Sequence, residues 1–231
     1  MTSAGTLEAG QVRAMFDRIA GFYDAMNTVM TAGLHHRWRA RAVELAALAP
    51  GERALDVATG TGDLALALAR AVGPQGEVLA CDFSERMLER ARRKAPALRF
   101  EWADALALPY ETASFDAATV GFGARNFADL RGGVAEMARV VAPGGRVVIL
   151  EITQPTREPM ASFSRAWFDR IVPALGRVAG DSAAYRYLPS SVRRFPGPRE
   201  LAAVMHDCGL RRIRWVLTAG GIIAIHVGER A

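Results

Sequence analysis

The sequence is poor in cysteine and lysine, and the shortage of cysteine excludes two kinds of site. Its two cysteines, Cys81 and Cys208, stand far apart in 231 residues, so they form neither a disulfide framework nor a CxxC metal-binding motif. Lys94 is the only lysine among 29 basic residues, and the arginines are spread along the chain instead of gathered in one patch. No group of histidine, cysteine and acidic residues has metal-ligand spacing, so we predict no metal.

Long apolar segments and a secretory signal are missing as well. The first residues, MTSAGTLEAG, have neither a basic region nor an apolar core, and no apolar run approaches the ~18 residues of a membrane-spanning helix. We therefore expect a cytoplasmic protein. With 51% hydrophobic residues, the chain has enough apolar material for one large globular domain. Its net charge of +5 leaves open an anionic partner such as RNA or a lipid surface.

Strand-like and helix-like segments alternate from residue 51 onward. Short apolar runs predict strands at 53–58, 77–82, 98–104, 115–122, 146–152, 212–219 and 221–228. Segments of strong helix formers predict helices at 63–72, 84–95, 130–141 and 199–209. Strands separated by helices form mostly parallel sheets that carry helices on both faces. The pattern predicts an α/β, Rossmann-like fold with a doubly wound, mostly parallel sheet of seven strands.

Two segments stand outside this alternation. Residues 11–48 are expected to form helices before the first strand, and residues 153–198 a helical insertion before the last strand pair. Ligands of doubly wound sheets bind beyond the carboxyl ends of the strands, so both segments are expected to act as lids over a ligand site. We predict a single domain over residues 1–231, in which 51–152 and 199–228 form the core.

A glycine-rich loop follows the first predicted strand and precedes a predicted helix. Gly60 and Gly62, with Ala65, match the GxGxxG/A pattern that brings a nucleotide close to the backbone. Asp82 ends the next strand, 20 residues beyond Gly62, where a carboxylate accepts hydrogen bonds from ribose hydroxyls. The loop and Asp82 together predict a nucleoside ligand.

The charges around this loop distinguish two kinds of nucleoside. A dinucleotide places its pyrophosphate on the helix N-terminus, which in this chain carries Asp63. Two like charges ~4 Å apart repel by ~4 kcal/mol at an effective dielectric constant of 20. S-adenosylmethionine has no phosphate, and its α-ammonium and sulfonium suit Asp56 and Asp63. The charges favour S-adenosylmethionine, although Asp63 would also serve as a simple helix cap.

The ends of the third and fourth predicted strands refine this interpretation. Asp104 and Ala105 offer a carboxylate and backbone groups to an adenine ring. Enzymes that methylate exocyclic nitrogens are expected to carry an Asn/Asp-Pro-Pro-aromatic signature after the fourth strand. This chain has GFGARN at 121–126, which disfavours methylation of a base amino group.

Six segments of the chain carry a resemblance to a known family. They are FDRIAGFYDAMNTVMTAGLHHRWR (16–39), LDVATGTGDLA (55–65), FGARNFAD (122–129), RVVAPGGRVVILE (139–151), YRYLPSSVRRFP (185–196) and LTAGGIIAIHVG (217–228). In this order they resemble the C-methyltransferases of menaquinone and ubiquinone biosynthesis. The resemblance implies a class I methyltransferase that moves a methyl group from S-adenosylmethionine to a ring carbon of a polyprenylated hydroquinone.

The resemblance implies donor-binding roles for Thr61, Asp82, Asp104 and Ala105. Some relatives have serine where Gly121 stands, so one hydroxyl contact is absent. Combined with the loop and charge arguments, the expected donor-binding residues are Asp56, Gly60, Thr61, Gly62, Asp82, Phe83, Asp104, Ala105 and Gly121.

Methylation at carbon requires an electron-rich ring. A hydroquinone hydroxyl should ionise near the tyrosine pKa of ~10, and its ionised form activates the ortho carbon. We expect Arg125 to favour that ionised form, Asn126 to orient the same oxygen, and His226 to act as the base. The alternatives are a surface ion pair of Arg125 with Asp129, a turn role for Asn126 and a core role for His226.

Residues outside the core are candidates for binding the quinol. Tyr23, Asp24, Asp181 and Tyr185 are expected to line the head-group pocket, although they would also suit capping and packing. The isoprenoid tail would meet Phe16, Phe22, Met26 and Met30, unless this apolar stripe is ordinary core. Two arginine clusters would touch anionic lipid or remain solvated; they are Arg37, Arg39 and Arg41, and Arg211, Arg212 and Arg214.

The sequence thus predicts methylation of demethylmenaquinol to menaquinol by an enzyme with peripheral access to a membrane. The polyprenyl benzoquinol intermediate of ubiquinone biosynthesis is the alternative substrate. An RNA methyltransferase, which only the basic charge supports, and a non-enzymatic nucleoside-binding or adaptor protein are the other classes. We expect no nucleic-acid partner, and the chain is a candidate homodimer.

Overall fold

A computed structural model describes residues 8–172, 174 and 182–231 of the chain. Seven strands form one sheet: β1 (Arg53–Val57), β2 (Glu77–Asp82), β3 (Arg99–Trp102), β4 (Phe115–Gly121), β5 (Val141–Ile152), β6 (Leu210–Thr218) and β7 (Ile223–Arg230). The helices are α1 (Ala9–Ile19), α2 (Tyr23–Thr31), α3 (His35–Ala46), α4 (Asp63–Val72), α5 (Glu85–Lys94), α6 (Leu130–Val140), α7 (Met160–Ala166), α8 (Ser182–Arg194) and α9 (Pro198–Asp207). Single turns of 3₁₀ helix lie at Ala124–Asn126 and Ala219–Gly221, and a π-helical turn at Trp167–Ile171 continues α7.

The sheet confirms the predicted fold class. Its strand order is β3-β2-β1-β4-β5-β7-β6, with β1 to β5 parallel and only β7 antiparallel to its two neighbours. The chain order reverses between β1 and β4, and such a switch point opens a crevice at the carboxyl ends of the strands. The loops after β1 to β4 therefore meet at one edge of the sheet.

Helices cover both faces of the sheet, which explains why its central strands are largely apolar and mostly buried. On one face, α3, α4 and α5 contribute Ala42, Leu68 and Leu88 to a buried cluster. On the other face, α6 and α9 contribute Met137 and Met205 to a second cluster. The leucine and alanine alternation of 63–72 is helical as predicted, because its apolar residues fall on one face of α4.

Two of the differences between the predicted and the observed boundaries have a clear structural reason. The Pro-Gly-Gly segment at 143–145 lies inside β5, where the register moves from Phe115↔Val141 to Ala117↔Arg146. The segment is therefore an excursion within one strand and not a turn before it. The last strand begins at Ile223 instead of residue 221, because the 3₁₀ turn at Ala219–Gly221 precedes it.

A third buried cluster joins the N-terminal helices to the predicted insertion. Val12 and Met15 of α1 pack with Phe168 and Tyr187 of the insertion, and Met26 and Met30 of α2 pack against them. A hydrogen bond of 2.6 Å from Ser84 Oγ to Asp17 Oδ1 also fixes α1 to the start of α5. The two segments outside the strand and helix alternation thus pack on each other. Within the described residues, no helix is long and apolar enough to cross a membrane.

Gly62 offers a test of how closely the glycine loop packs. Its φ is +86°, and an added Cβ would lie 3.1 Å from the Phe100 ring and 3.3 Å from Ala91 Cβ. Gly51 has a similar φ of +92° with no atom within 4 Å of an added Cβ. Gly51→Ala should therefore lower the free energy of unfolding by only the ~1–2 kcal/mol of a left-handed alanine. Gly62→Ala should lower it by a further ~1–3 kcal/mol from overpacking. Urea denaturation measures both, and equal losses would contradict the close packing.

Candidate active site

Two adjoining cavities lie at the carboxyl edge of the sheet. The strand-edge cavity, about 100 Å³, is bounded by the loops that follow β1, β2, β3 and β4. The apolar cavity, about 480 Å³, lies between helices α1 to α3 and the insertion. Five residues line both cavities and form their junction: Phe16, Tyr23, Arg39, Phe122 and Asn126. A ligand in one cavity therefore meets a ligand in the other at this junction.

The strand-edge cavity gathers the predicted donor-binding residues, with one exception. Its lining includes Asp56, Gly60, Thr61, Asp82, Phe83, Asp104, Ala105 and Gly121. Gly62 is not part of that lining, and its contact with the donor stays a prediction. It contacts Phe100 and Ala91, so it provides the positive φ and the close packing that hold the loop in place.

Two buried carboxylates face the strand-edge cavity. Asp56 accepts hydrogen bonds from Thr59 Oγ1 at 2.6 Å and from Thr119 Oγ1 at 2.7 Å. Asp82 accepts from the backbone N–H groups of Gly60 at 2.8 Å and Ser84 at 2.9 Å. Burial raises the pKa of each to about 6. Within the described residues neither carboxylate forms a salt bridge, so a cationic or hydroxyl-bearing ligand would compensate their burial.

Asp63 does not play the part that the sequence predicted. Its carboxylate lies 2.9 Å from Lys94 Nζ and 3.6 Å from the guanidinium of Arg39, and it does not line the strand-edge cavity. Although burial opposes ionisation, Arg39 and Lys94 lower the pKa of Asp63. The negative charges that face a ligand come from Asp56 and Asp82 instead.

Asp24 is also placed differently from the prediction. Its carboxylate accepts a hydrogen bond of 2.5 Å from Thr61 Oγ1 and lies 2.5 Å from Lys94 Nζ. It lines neither cavity, whereas the adjacent Tyr23 lines both. Asp24 therefore ties α2 to the glycine loop and does not contact a ligand in the apolar cavity.

Arg125 and Asn126 lie on the 3₁₀ turn after β4 and line the apolar cavity. Arg125 forms an ion pair of 2.7 Å with Glu151, which is 1% exposed, and not with Asp129. Its Nε is buried and has no hydrogen-bond partner among the described residues. Asn126 Oδ1 accepts a hydrogen bond of 3.2 Å from Tyr187 Oη, which leaves its NH₂ group as a donor.

His226 is a core residue, and the prediction that it acts as the base is wrong. It lines neither cavity. Its Nε2 lies 2.9 Å from the carbonyl oxygen of Pro198, which can only accept, so Nε2 carries the proton. The ring stacks on Trp215 and is 1% exposed, and burial lowers its pKa to about 4. The side chain of His226 therefore anchors β7 to the start of α9.

The apolar cavity contains only part of the predicted quinol-binding set. Tyr23 and Tyr185 line it, together with Phe16, Met26 and Met30, whereas Phe22 does not. Asp181 lies outside the described residues. The prediction missed His35, Trp38 and Arg39, which α3 brings to the cavity. Their spacing of three and four residues places them on one helix face, a signal that the sequence HHRWR contains.

The structure also brings together three side chains with metal-binding atoms. Ligand atoms of His35, His36 and Asp63 lie within 4.8 Å of one another. However, the Asp63 carboxylate already forms ion pairs with Arg39 and Lys94. Burial, together with the positive charge of Arg39, lowers the pKa of His35 to about 4. This cationic surrounding does not fit a divalent metal, and the absence of a metal remains a prediction.

The sheet order is that of the class I S-adenosylmethionine-dependent methyltransferase fold. The solved structures with this fold include a SAM-dependent methyltransferase from Aquifex aeolicus, with a TM-score of 0.58, 19% identity, and coverage of 80% of this chain and 85% of that one. The YcgJ protein from Bacillus subtilis has a TM-score of 0.61 at 20% identity, covering 85% of this chain and 99% of that one. At such identities the likeness extends to the fold alone.

The chain belongs to the ubiE/COQ5 methyltransferase family, whose model matches residues 4–230. It is 48% identical to the demethylmenaquinone methyltransferase of Thermus thermophilus, over 94% of this chain and 100% of that protein. It is 46% identical to the protein of the same name from Deinococcus radiodurans, over 95% and 92% of the two chains. It is 38% identical to the ubiquinone/menaquinone biosynthesis C-methyltransferase UbiE of Cupriavidus metallidurans, over 96% and 93%. The methyl donor is S-adenosylmethionine, as the sequence predicted.

Donor binding should depend on pH through Asp56 and Asp82. Both carboxylates favour the donor when ionised, and their pKa values lie at about 6. As the pH falls through 6 they take up protons, so between pH 7.5 and 5 the Kd for S-adenosylmethionine should rise by up to roughly tenfold for each carboxylate, or about a hundredfold for both. Calorimetric titrations across this range measure the change. Asp82→Asn should bind more weakly at pH 7.5 and show a smaller pH dependence, whereas a constant wild-type Kd would contradict the assignment.

Proposed function

We propose that the protein transfers a methyl group from S-adenosylmethionine to a ring carbon of demethylmenaquinol and forms menaquinol. The observation that carries this proposal is the apolar cavity, which adjoins the donor-binding cavity through five shared residues. An enzyme that methylates a hydrophobic quinol needs such a pair of sites, because ring and donor must meet away from water. The names of the two most similar relatives described above support the same substrate.

The apolar cavity suits a naphthoquinol with an isoprenoid tail. Its volume of about 480 Å³ lies within the ~300–1,000 Å³ that small-molecule sites usually span. Methionine and aromatic side chains line it, and such side chains adapt to a flexible apolar chain. Three of its large apolar lining residues are exposed: Val29 is 64%, Leu34 41% and Phe163 51% exposed. These three mark an apolar mouth through which a long tail can leave the cavity.

The chemistry requires an aligned and electron-rich ring. The donor, when bound, supplies a methyl group already activated by the sulfonium, and its C–S bond would break as the new C–C bond forms. The methylated ring carbon would then lose its proton, and the quinol oxygen would gain one, as the ring regains aromaticity. The protein must hold the ring carbon ~3–3.5 Å from that methyl. Asn126 lies at the junction and offers its NH₂ group to a quinol oxygen. Arg125 lines the same cavity and offers the guanidinium N–H groups that its contacts with Glu151 and Phe122 leave free, and a hydrogen bond from them is stronger to the ionised oxygen than to the neutral one.

The ion pair with Glu151 changes the expected role of Arg125. A full positive charge was expected from the sequence, but the carboxylate 2.7 Å away offsets that charge. Arg125 therefore contributes a directed hydrogen bond that stabilises the phenolate. Glu151 both offsets the charge of Arg125 and holds its guanidinium in place beside the apolar cavity.

The polyprenyl benzoquinol of ubiquinone biosynthesis is the second candidate substrate. The relative from Cupriavidus metallidurans, named for both pathways, favours it. A smaller benzoquinol ring would occupy the same junction, so the two substrates would differ in fit and not in chemistry.

Access to a quinol held in a membrane would require contact with the lipid surface. The predicted cluster of Arg37, Arg39 and Arg41 is not one exposed patch, because Arg39 is buried and Arg41 pairs with Glu44. We place the proposed contact at the apolar mouth of Val29, Leu34 and Phe163 instead. Peripheral membrane association, a cytoplasmic location and a homodimer remain proposals.

Transfer of a labelled methyl group tests the proposed function. The purified protein is incubated with methyl-labelled S-adenosylmethionine and reduced short-chain demethylmenaquinone, with the corresponding benzoquinol and with RNA in parallel. Label should enter the naphthoquinol ring, and its position is read by mass spectrometry. Preferential labelling of the benzoquinol would select the second candidate. Label only in RNA, or in no substrate, would overturn the proposal.

Arg125→Lys tests the directed hydrogen bond. Arg125→Ala would leave Glu151 buried and unpaired, at a cost of ~3–5 kcal/mol in stability, whereas lysine keeps a cation beside it and lacks the additional N–H groups of the guanidinium. We expect Arg125→Lys to fold and to bind S-adenosylhomocysteine within about twofold of wild type. Its turnover should fall ~100-fold or more, as for the loss of one preorganised donor. Nearly normal turnover would remove Arg125 from the chemical step.

A further inference from the structure

Arg39 occupies a distinctive position in the site. It projects from α3, is 7% exposed and lines both cavities. Among the described residues of the strand-edge cavity it is the only cation, beside the carboxylates of Asp56, Asp82 and Asp104. A buried guanidinium at the edge of a ligand site calls for an anionic partner on the ligand.

The order of the strands fixes the direction in which the donor lies. Asp104 follows β3, Asp82 ends β2, Gly60 follows β1 and Gly121 ends β4, and these strands are consecutive neighbours in the sheet. With the adenine ring beside Asp104 and the ribose beside Asp82, the amino-acid end must lie toward β1 and β4. Arg39 lies at that end, since its guanidinium stands 5.7 Å from the ring centroid of Phe122, the residue after β4.

The amino-acid end of the donor carries one anion, the α-carboxylate, besides its ammonium and sulfonium cations. Asp56 suits the cations but would repel the carboxylate. We propose that Arg39 binds the α-carboxylate of S-adenosylmethionine and so forms a subsite that the glycine-loop motif does not include. A guanidinium matches a carboxylate with two parallel hydrogen bonds.

The surroundings of Arg39 orient it for this contact. Its guanidinium lies 3.6 Å from Asp63 and hydrogen bonds to His35 Nδ1. Asp63 is shared with Lys94, whose Nζ lies closer to it, at 2.9 Å. Because His35 accepts from Arg39, its ring is neutral and adds no charge. One N–H group of Arg39 is thus used in a hydrogen bond to His35 and a second faces Asp63 in an ion pair, so the guanidinium keeps further N–H groups as donors for a ligand.

The subsite would also place the reacting group. Arg39 is one of the five junction residues, so a carboxylate bound there holds the neighbouring sulfonium beside the opening into the apolar cavity. The carboxylate would then position the methyl group toward the quinol. The inference concerns the donor and not the acceptor, so it does not depend on which quinol is methylated.

Two ligands, one with and one without the amino-acid portion, distinguish a contact of Arg39 with the carboxylate from a purely structural role of Arg39. S-adenosylhomocysteine and 5′-methylthioadenosine share adenine, ribose and thioether, but the second lacks the amino-acid portion. By calorimetry, Arg39→Met should weaken S-adenosylhomocysteine binding ~30-fold or more, as for the loss of a charged hydrogen bond, and 5′-methylthioadenosine binding less than threefold. Arg39→Lys should lie between wild type and Arg39→Met for the first ligand. The exposed neighbour on the same helix provides a control, Arg37→Met, which should change neither affinity.

Two outcomes would overturn the inference. Equal weakening of both ligands would make Arg39 a structural support of the loop, and unchanged affinities would exclude it from the site. If Arg39→Met fails to fold, the wild-type protein still decides the question. It should bind S-adenosylmethionine ~30-fold or more tightly than decarboxylated S-adenosylmethionine, and Arg39→Lys should reduce that ratio. Equal wild-type affinities for these two ligands would contradict a carboxylate subsite.

Discussion

The chain's single lysine holds the site together. Lys94, the last residue of α5, lies 2.5 Å from Asp24 of α2, 2.9 Å from Asp63 of α4 and 3.0 Å from Thr61 of the glycine loop. Residues 24, 61–63 and 94, which are distant in sequence, thus meet at one ammonium group, which is only partly exposed. Because this contact sets the N-terminal helices against the glycine loop, it also sets where the strand-edge cavity ends and the apolar cavity begins.

The acidic residues near Lys94 fall into two groups, one that forms ion pairs within the protein and one that faces the strand-edge cavity. Asp24 and Asp63 are neutralised by Lys94 and Arg39 and serve to position α2, α3 and the loop. Asp56 and Asp82 have no such partner within the described residues and face the ligand. Their burial is unfavourable without a ligand, which is a common property of binding sites that recognise cations and hydroxyl groups. The donor supplies what these carboxylates lack.

Much of the fold and of the donor site could be predicted because both depend on local sequence. The apolar runs of β1, β2 and β4 are buried on both faces, and Gly60, Asp82 and Asp104 follow or end strands that lie side by side. The predictions failed where a partner came from a distant segment. Asp63 and Asp24 look available in the sequence, since their partner Lys94 lies 31 and 70 residues away. His226 was misplaced because a strand buried on both faces gives no signal for which side meets a ligand.

Arg39 was misjudged for a related reason. Three arginines at alternate positions suggested one solvated surface, but α3 turns the middle side chain inward, onto the face it shares with His35. A helix rotates by ~100° per residue, so neighbours in such a cluster need not share an environment. Burial, and not residue type, distinguished the site residue from its neighbours.

The central claim is that donor and quinol lie side by side across the junction of the two cavities. A crystal structure of the ternary complex with S-adenosylhomocysteine and a demethylmenaquinol analogue tests it most directly. The thioether sulfur should lie at the junction near Arg39 and Asn126, with the quinol ring in the apolar cavity and no side chain between them. A quinol bound elsewhere, or a side chain between sulfur and ring, would contradict the account.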